Sequence, residues 1–411
     1  MQYLKKDDPR LAALVEQEAT RIEMTLDLIA AENHSPRSIM EVLGSILNTK
    51  TIEGYPGKRF HAGCVNVDEI ENIAIRRAKR LFGAQYVNVQ PHSGTSANLA
   101  VYFSVLNVGD RILSMGLPFG GHLSHGHKAS ITSRCFDFTH YGVDPQTERI
   151  DYDQVRALAL QAKPRMIVAG ASSYPRLIDY EKIAAIAEEV HAYSFADMAH
   201  LAGLVAGKVI PSPVSCCDFV TFTTYKTMMG GRGGVILAKN EFGQRLNAAV
   251  FPGCQGTSAV NLIAAKALIF KLAEEPRFIE IQRKTLENAV LLAKALEDRG
   301  YRIVSGGTDN HQVLVDLTAK GLKGAVAETA LESVGIVLNR NVIPGDARTP
   351  GSVSGLRLGS AGITARGMSQ PEMVHIADMI NTVLSRPENP AELDKVKAQI
   401  KALCRQYPVY A

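Results

Sequence analysis

An α/β fold around a mostly parallel sheet is predicted for this chain, and three observations carry that expectation. From residue 133 onward, short β-branched and aromatic runs alternate with helical patterns: CFDFTHY, PRMIVAG, YEKIAAIAEEVHA, AYSFAD. Helices that fill the crossovers between short apolar strands indicate parallel pairing. Ser172, Asp197 and Lys226 each stand where such a strand ends, and in open α/β sheets ligands gather outside the carboxyl ends of strands. Finally, 411 residues allow two or three domains with large cores.

In chain order, residues 11–30 read as one helix with Leu11, Leu14, Ile22, Leu26 and Ile29 on a common face. AAENHSPRSIM breaks it, and Ser35-Pro36 restarts a helix expected to run through Leu47. TIEGYPGKRFHAGC then carries Glu53, Tyr55, Lys58, Arg59 and His61, more functional types than a linker needs, although a solvated loop is the alternative. Residues 67–82 form an amphipathic helix. In YVNVQPHSGTSANLAVYFSVL a strand over 86–89 passes through Pro91 to Ser93-Gly94-Thr95-Ser96, with a helix from about Ala97. Hydroxyls and glycine at a helix start present free donors to an anion, and an ordinary N-cap looks the same. RILSMGL is a short strand, and PFGGHLSHGHK a turn rich in glycine and histidine. His122, His125 and His127 raise the question of a metal, but no carboxylate or cysteine is expected to join them. No metal is expected, and His122 is read as an imidazole lying against a planar ring.

The most informative stretch is CDFVTFTTYKTMMGGRGGVILAK. A buried strand from Phe219 to Thr224 empties into Tyr225-Lys226, a turn with four glycines around Arg232 follows, and a second apolar strand closes it. A lysine in a cleft can titrate far below a solvated one and capture an aldehyde. Asp197 ends the preceding apolar strand, AYSFAD. A strand-end acid for a pyridine nitrogen and a strand-end amine for an aldehyde are what pyridoxal 5'-phosphate needs. A surface loop lysine and a capping aspartate are the bland alternatives.

Pro276 is a reasonable end to the large domain. Beyond it, a helix over 277–299, strands YRIVSGG and HQVLVDL, a helix over 323–334, strand GIVLNRN, turn IPGDARTPG, strand GLRLGS and a helix over 371–385 suggest a small α+β C-terminal domain. Arg357 sits among apolar neighbours in GLRLG. A planar guanidinium there suits a carboxylate, the alternative being an edge-strand solubility residue. The expected division is an N-terminal helical arm over 1–50, a cofactor-binding domain over 51–276 and a C-terminal domain over 277–411.

A formal charge of +4 makes no demand for nucleic acid. No run of eighteen apolar residues argues for a membrane span, and the start MQYLKKDDPR reads as cytoplasmic. The six cysteines have no CxxC spacing and read as reduced thiols.

EGYPGKR, NVQPHSG, GGHLSHG, VAGASSYPR, ADMAHLAGLVA, TYKTMMGGRGG, SGGTDNH and RQYPVYA resemble, in order and over nearly the whole chain, segments of the serine hydroxymethyltransferases. The resemblance implies the type I aminotransferase-like fold with a mostly parallel seven-stranded sheet, and an obligate homodimer, or a tetramer built from it, with sites at the interface. It also implies one-carbon transfer with tetrahydrofolate as cosubstrate. Lys226 would carry the cofactor, Asp197 would hold its ring nitrogen, and His122 would stack on the ring. Ser93, Gly94 and a neighbour's Gly256 would hold the phosphate, Thr95 and Thr223 would be further cofactor-binding residues, and His200 and Ser172 would contact the ring's O3' side. Arg357 would take the substrate carboxylate. Glu53 would be the acid–base group, contributed with Tyr55 by the other subunit. Leu117, Gly121, Leu123 and Asn341 fall where the family binds folate.

Five departures bear on substrate. The family usually has Ser at Ala31, Tyr at Thr51 and His61, and His at Tyr225, and a Gly-Gly-Pro where this chain has Gly256-Thr257-Ser258. The cofactor chemistry is kept, and the substrate is left open among serine, an α-methyl amino acid, and the substrate of a folate-independent aldolase or threonine transaldolase. A non-catalytic relative is the alternative of another class.

Overall fold

The computed structural model of the protein describes residues 1–346 and 353–410. Its centre is a seven-stranded sheet made of β1 (Tyr86–Asn88), β2 (Arg111–Met115), β3 (Asp137–Tyr141), β4 (Met166–Gly170), β5 (Tyr193–Asp197), β6 (Phe219–Thr223) and β7 (Gly234–Ala238). The spatial order is β1-β7-β6-β5-β4-β2-β3. β2 pairs parallel with β3 and β4, β4 with β5, and β5 with β6. β7 alone is reversed, antiparallel to both β6 and β1. The sheet is therefore mixed but mostly parallel, and every strand except β7 ends at the same edge.

Burial on both faces explains the continuous apolar runs. Along β6 and β7, Phe219 and Ile236 enter a core with Tyr102, Phe195 and Leu246. Val220, Phe222, Val235 and Leu237 enter the core on the other face, with Ile167, Ala196 and Phe270. The period of two in a strand makes this division.

A four-stranded antiparallel sheet follows, with β8 (Arg302–Ile303), β9 (Gln312–Asp316), β10 (Asn339–Asn341) and β11 (Gly355–Gly359) in the order β8-β9-β11-β10. Leu292, Leu331, Ile376, Val383 and Ile400 pack with its apolar residues into a separate core. The helix Pro276–Glu297 reaches both cores, through Phe278 and Leu292.

The structure departs from the sequence expectations at several places. The helix expected over 11–30 is Pro9–Glu23, started by Asp8, whose carboxylate accepts from Leu11 N at 2.9 Å. Leu26 and Asp27 leave it to pair parallel with Ile336 and Val337. Tertiary burial outweighs the helical period here: Leu26 and Leu28 are fully buried in the second core, whereas Leu11 and Leu14 stay exposed. The arm over 1–50 is thus not wholly helical. The helix expected from Ser35-Pro36 through Leu47 is Arg37–Leu43 and gives way to a 3-10 turn, Ile46–Thr49. The helix expected from Ala97 starts at Gly94, because Ser93 and Ser96 cap each other reciprocally.

GIVLNRN is split between two partners, Ile336–Val337 with Leu26–Asp27 and Asn339–Asn341 with β11. The longest helices that the sequence reading does not anticipate are Tyr152–Ala162 and Pro390–Gln406. Asp151 caps the first; Asn389 caps the second, ahead of Pro390 at the first helical position. Part of the turn IPGDARTPG lies outside the described residues. Among the described residues no helix is long and apolar enough to cross a membrane, and the six cysteines are free thiols.

Candidate active site

The carboxyl edge of the central sheet gathers most of the candidate residues. Lys226 lies three residues past the end of β6 in a turn held from several sides. Gly230 N donates to Thr224 O at 2.7 Å and Met229 N to Lys226 O at 2.9 Å. Asn33 Nδ2 donates to Lys226 O at 3.1 Å and Ser35 Oγ to Gly230 O at 2.9 Å. Thr227 Oγ1 donates to His200 O at 2.9 Å, and Gln282 Nε2 donates to Thr227 O at 2.8 Å. The lysine is 7% exposed, so it is no surface loop lysine. Burial lowers its pKa to about 8, against the charge of Asp197, with Arg357 and Arg232 lowering it further.

Asp197 ends β5 and is likewise buried. Its Oδ2 accepts from Asn98 Nδ2 at 2.8 Å and faces His125 Nε2 at 3.1 Å, and its Oδ1 accepts from Ala199 N at 3.0 Å. Burial alone would push this carboxyl up, but the hydrogen bond from His125, the charges of His125 and His122 and the bond from Asn98 hold it well below the usual range. A buried carboxylate kept ionised can hold a cationic partner. Asn98 is itself set by Thr221 Oγ1, which donates to its Oδ1 at 2.6 Å.

A cavity of about 90 Å³ is lined by Ser93, Gly94, Thr95, His122, Ser172, Asp197, His200, Thr223, Tyr225 and Lys226. It opens beside a cleft of about 500 Å³, where His122, Ser172, His200, Tyr225 and Lys226 recur with Ala31, Leu117, Gly121, Leu123, Asn341 and Arg357. His122 Nδ1 is 2.7 Å from Ser124 Oγ, and burial lowers its pKa to about 4. His200 is 4% exposed, its Nδ1 has no hydrogen-bond partner, and burial first, then the charges of Lys226 and Arg357, depresses its pKa well below 6.5. The left-handed Gly120 (φ +109°) lets the histidine turn approach β4's exit, since a Cβ there would meet Ser173 O at 2.7 Å.

Arg357 lies in the middle of β11, between β9 and β10, so it is not an edge-strand residue. Its Nε donates to Asn339 Oδ1 at 3.0 Å and its Nη1 to Ser172 O at 2.6 Å, spanning from the second sheet to the first. Burial lowers its pKa to about 10. Tyr225 takes the Arg232 guanidinium over its ring at 4.5 Å from the centroid.

Five candidates line neither cavity. Thr51, His61 and Gly256 are exposed. Tyr55 OH donates to Asn247 O at 2.7 Å, and Glu53 lies next to Ile52, whose N–H and carbonyl both bond Thr257 Oγ1, at 2.7 and 2.6 Å.

The expectation that no carboxylate joins the histidines is corrected. Asp197, distant in sequence, lies with its oxygen and the ring nitrogens of His122 and His125 all within 4.8 Å. The fold brings it there because β5 ends beside the histidine turn.

Sequence reasoning missed Asn98, Ser124 and His311 as site residues and left His125 without a role. A polar Asn98 inside the otherwise apolar helix ANLAVY was the signal available. His311 stacks on His200 at 5.7 Å between centroids, and its Nε2 reaches Ala30 O at 3.0 Å.

A family model described as serine hydroxymethyltransferase matches residues 4–380 of this chain.

Proposed function

This chain belongs to the serine hydroxymethyltransferase family, and from that premise we propose that it interconverts serine and glycine, with tetrahydrofolate as the one-carbon carrier. It is an enzyme of a pyridoxal phosphate-dependent transferase family acting in amino-acid and one-carbon metabolism. The observation that carries the proposal is the convergence of Lys226, Asp197 and Arg357 from β6, β5 and β11 on adjoining cavities.

The residues fit the cofactor: a buried carboxylate held ionised, a lysine lowered to about 8, an orphaned buried His200 Nδ1 and a capped helix start at Ser93-Gly94. Bound there, pyridoxal phosphate supplies an electron sink for bonds broken at the amino acid's Cα. Lys226 Nζ would hold the cofactor through its aldehyde group, Asp197 would face the ring nitrogen and favour its protonated form, and His122 would lie against the ring. Ser93, Gly94 and a partner chain's Gly256 would hold the phosphate end, with Thr95 and Thr223 also lining the cavity, and Ser172 and His200 would meet the O3' side. Arg357, desolvated and aimed by Asn339 and Ser172, grips the substrate carboxylate. Leu117, Gly121, Leu123 and Asn341 in the wider cleft suit a flat heterocycle.

Glu53, which lines neither cavity of its own chain, moves a proton in the partner's site, with Tyr55 beside it. A homodimer is part of this reading, as are a cytoplasmic setting and the division at 51–276 and 277–411.

Ala31 and Tyr225 face the substrate cleft, and with Thr51 and His61 they are proposed to set the preferred substrate. An α-methylserine hydroxymethyltransferase is the second reading, because Ala31 offers no hydroxyl to a carboxylate and leaves room for a methyl. Turnover of serine, α-methylserine and threonine, each with and without tetrahydrofolate, tests both. Serine cleavage that requires tetrahydrofolate is the expected result, and folate-independent aldehyde release would overturn it. A kcat/KM for α-methylserine above that for serine by about tenfold, roughly 1.4 kcal/mol, would decide for the second reading.

A further inference from the structure

Lys266 is 1% exposed in the middle of the helix Val260–Leu272, and neither proposed role nor surface explains it. Its Nζ donates to Val89 O at 2.6 Å and to Pro91 O at 2.9 Å. These carbonyls belong to the three residues between β1 and the turn that carries Ser93. The carbonyl between them, Gln90 O, accepts from Gln255 Nε2 at 2.8 Å and Ser258 Oγ at 2.7 Å. Pro91 O also accepts from Gly234 N at 3.0 Å. Three successive carbonyls are thus fixed, and the lysine holds two of them from below.

Its stem also lies under the glycine turn after Lys226. At Gly233 (φ +155°) an added Cβ would come within 2.3 Å of Lys266 Cε, so the turn closes over the lysine only because that residue is glycine. A methionine would fill nearly the same volume without burying an amine, so what the lysine adds is its donors. Burial lowers its pKa to about 7, against the charge of Glu71 from the helix Val65–Phe82. Glu71 is engaged by Arg59 at 2.5 Å and Gln90 at 2.8 Å.

We propose that Lys266 is a positioning residue of the phosphate cradle, holding residues 89–91 so that Ser93, Gly94 and the helix start behind them face the phosphate. The inference rests on the reading of the Ser93-Gly94 turn as that cradle.

The test uses the full-length protein and two probes, pyridoxal phosphate and pyridoxal, which lacks the phosphate. Their apparent dissociation constants are measured by absorbance in wild type, Lys266→Met, Lys266→Gln and, as a control on the cradle, Ser93→Ala. Lys266→Met is expected to weaken pyridoxal phosphate by at least about tenfold and pyridoxal by less than about threefold. Lys266→Gln, which keeps an uncharged donor, should fall between it and wild type. Equal weakening of both probes, or none, in Lys266→Met while Ser93→Ala lowers the selectivity overturns the role of Lys266 and leaves the cradle standing. An unchanged selectivity in Ser93→Ala overturns the cradle, and the inference with it. Failure of both Lys266 variants to fold would assign the lysine to the core and also overturn the proposal.

Discussion

Asp197→Asn keeps the shape of the side chain and removes its charge, and the surrounding donors decide the cost. Asn98 Nδ2 and His125 Nε2 face one oxygen and Ala199 N the other, at 2.8, 3.1 and 3.0 Å. Whichever way the new amide turns, its NH2 meets an N–H, so at least one hydrogen bond is lost and the rest become neutral. A bond to a charged group contributes about 1.5–3 kcal/mol and a neutral one about 0.5–1.5. Relief of the buried charge offsets part of the loss, so the cofactor-free protein should lose about 1–3 kcal/mol, measurable as a lower urea midpoint.

Lys226 should respond as well. Asp197 is the charge that raises its pKa, while burial, Arg357 and Arg232 all lower it. The variant lysine should therefore titrate below about 8, and capture of pyridoxal phosphate should shift to lower pH. Exchange of the glycine α-proton, followed by NMR in D2O, should slow by at least about a hundredfold, roughly 2.7 kcal/mol, with cofactor affinity changing less. An unchanged exchange rate, or a Lys226 titration that moves upward, would refute this account of Asp197.

Other expectations are briefer. Lys226→Ala should abolish multiple turnovers, and borohydride reduction of wild type followed by peptide mapping should place the pyridoxyl group on Lys226; labelling of another lysine would contradict the assignment. Because Glu53 and Gly256 line neither cavity of their own chain, sedimentation should find at least a dimer at assay concentration, and a fully active monomer would rule the shared site out. His200 and His311 are fully buried, and burial depresses both, His311 to about 3. The unfolded chain protonates them near 6.5 while the native chain does not, so their contribution is present above that pH and lost as pH falls toward the folded value. The slope should be about 1.4 kcal/mol per pH unit for each, and His311→Asn should flatten the acid limb of the urea midpoint curve.

Local chemistry was legible in the sequence where it depends on neighbours in the chain. The apolar run into Tyr225-Lys226 and its glycines signal strand, turn and strand from local sequence, and AYSFAD brings Asp197 to a strand end in the same way. The capped start at Ser93 was misplaced by three residues because reciprocal Ser93 and Ser96 bonds were not distinguished from a loop.

Residues 26–29 continue a helical period that the fold does not use. Helical spacing is a property of one segment, whereas the pairing of Leu26 with Ile336 depends on a strand more than three hundred residues away. The sequence by itself therefore determined the strand-end lysine and aspartate, the anion-suited turn and the mostly parallel sheet, all encoded in short runs. Only the tertiary structure decided that Asn98 and His125 keep Asp197 ionised, that Arg357 reaches across to Ser172 O, and that Lys266 underpins the turn before Ser93. Those contacts join segments that meet only after the sheet has ordered its strands; burial then lowers the pKa of Lys226, Arg357 and Lys266, whereas at Asp197 the hydrogen bonds and charges of its neighbours outweigh burial.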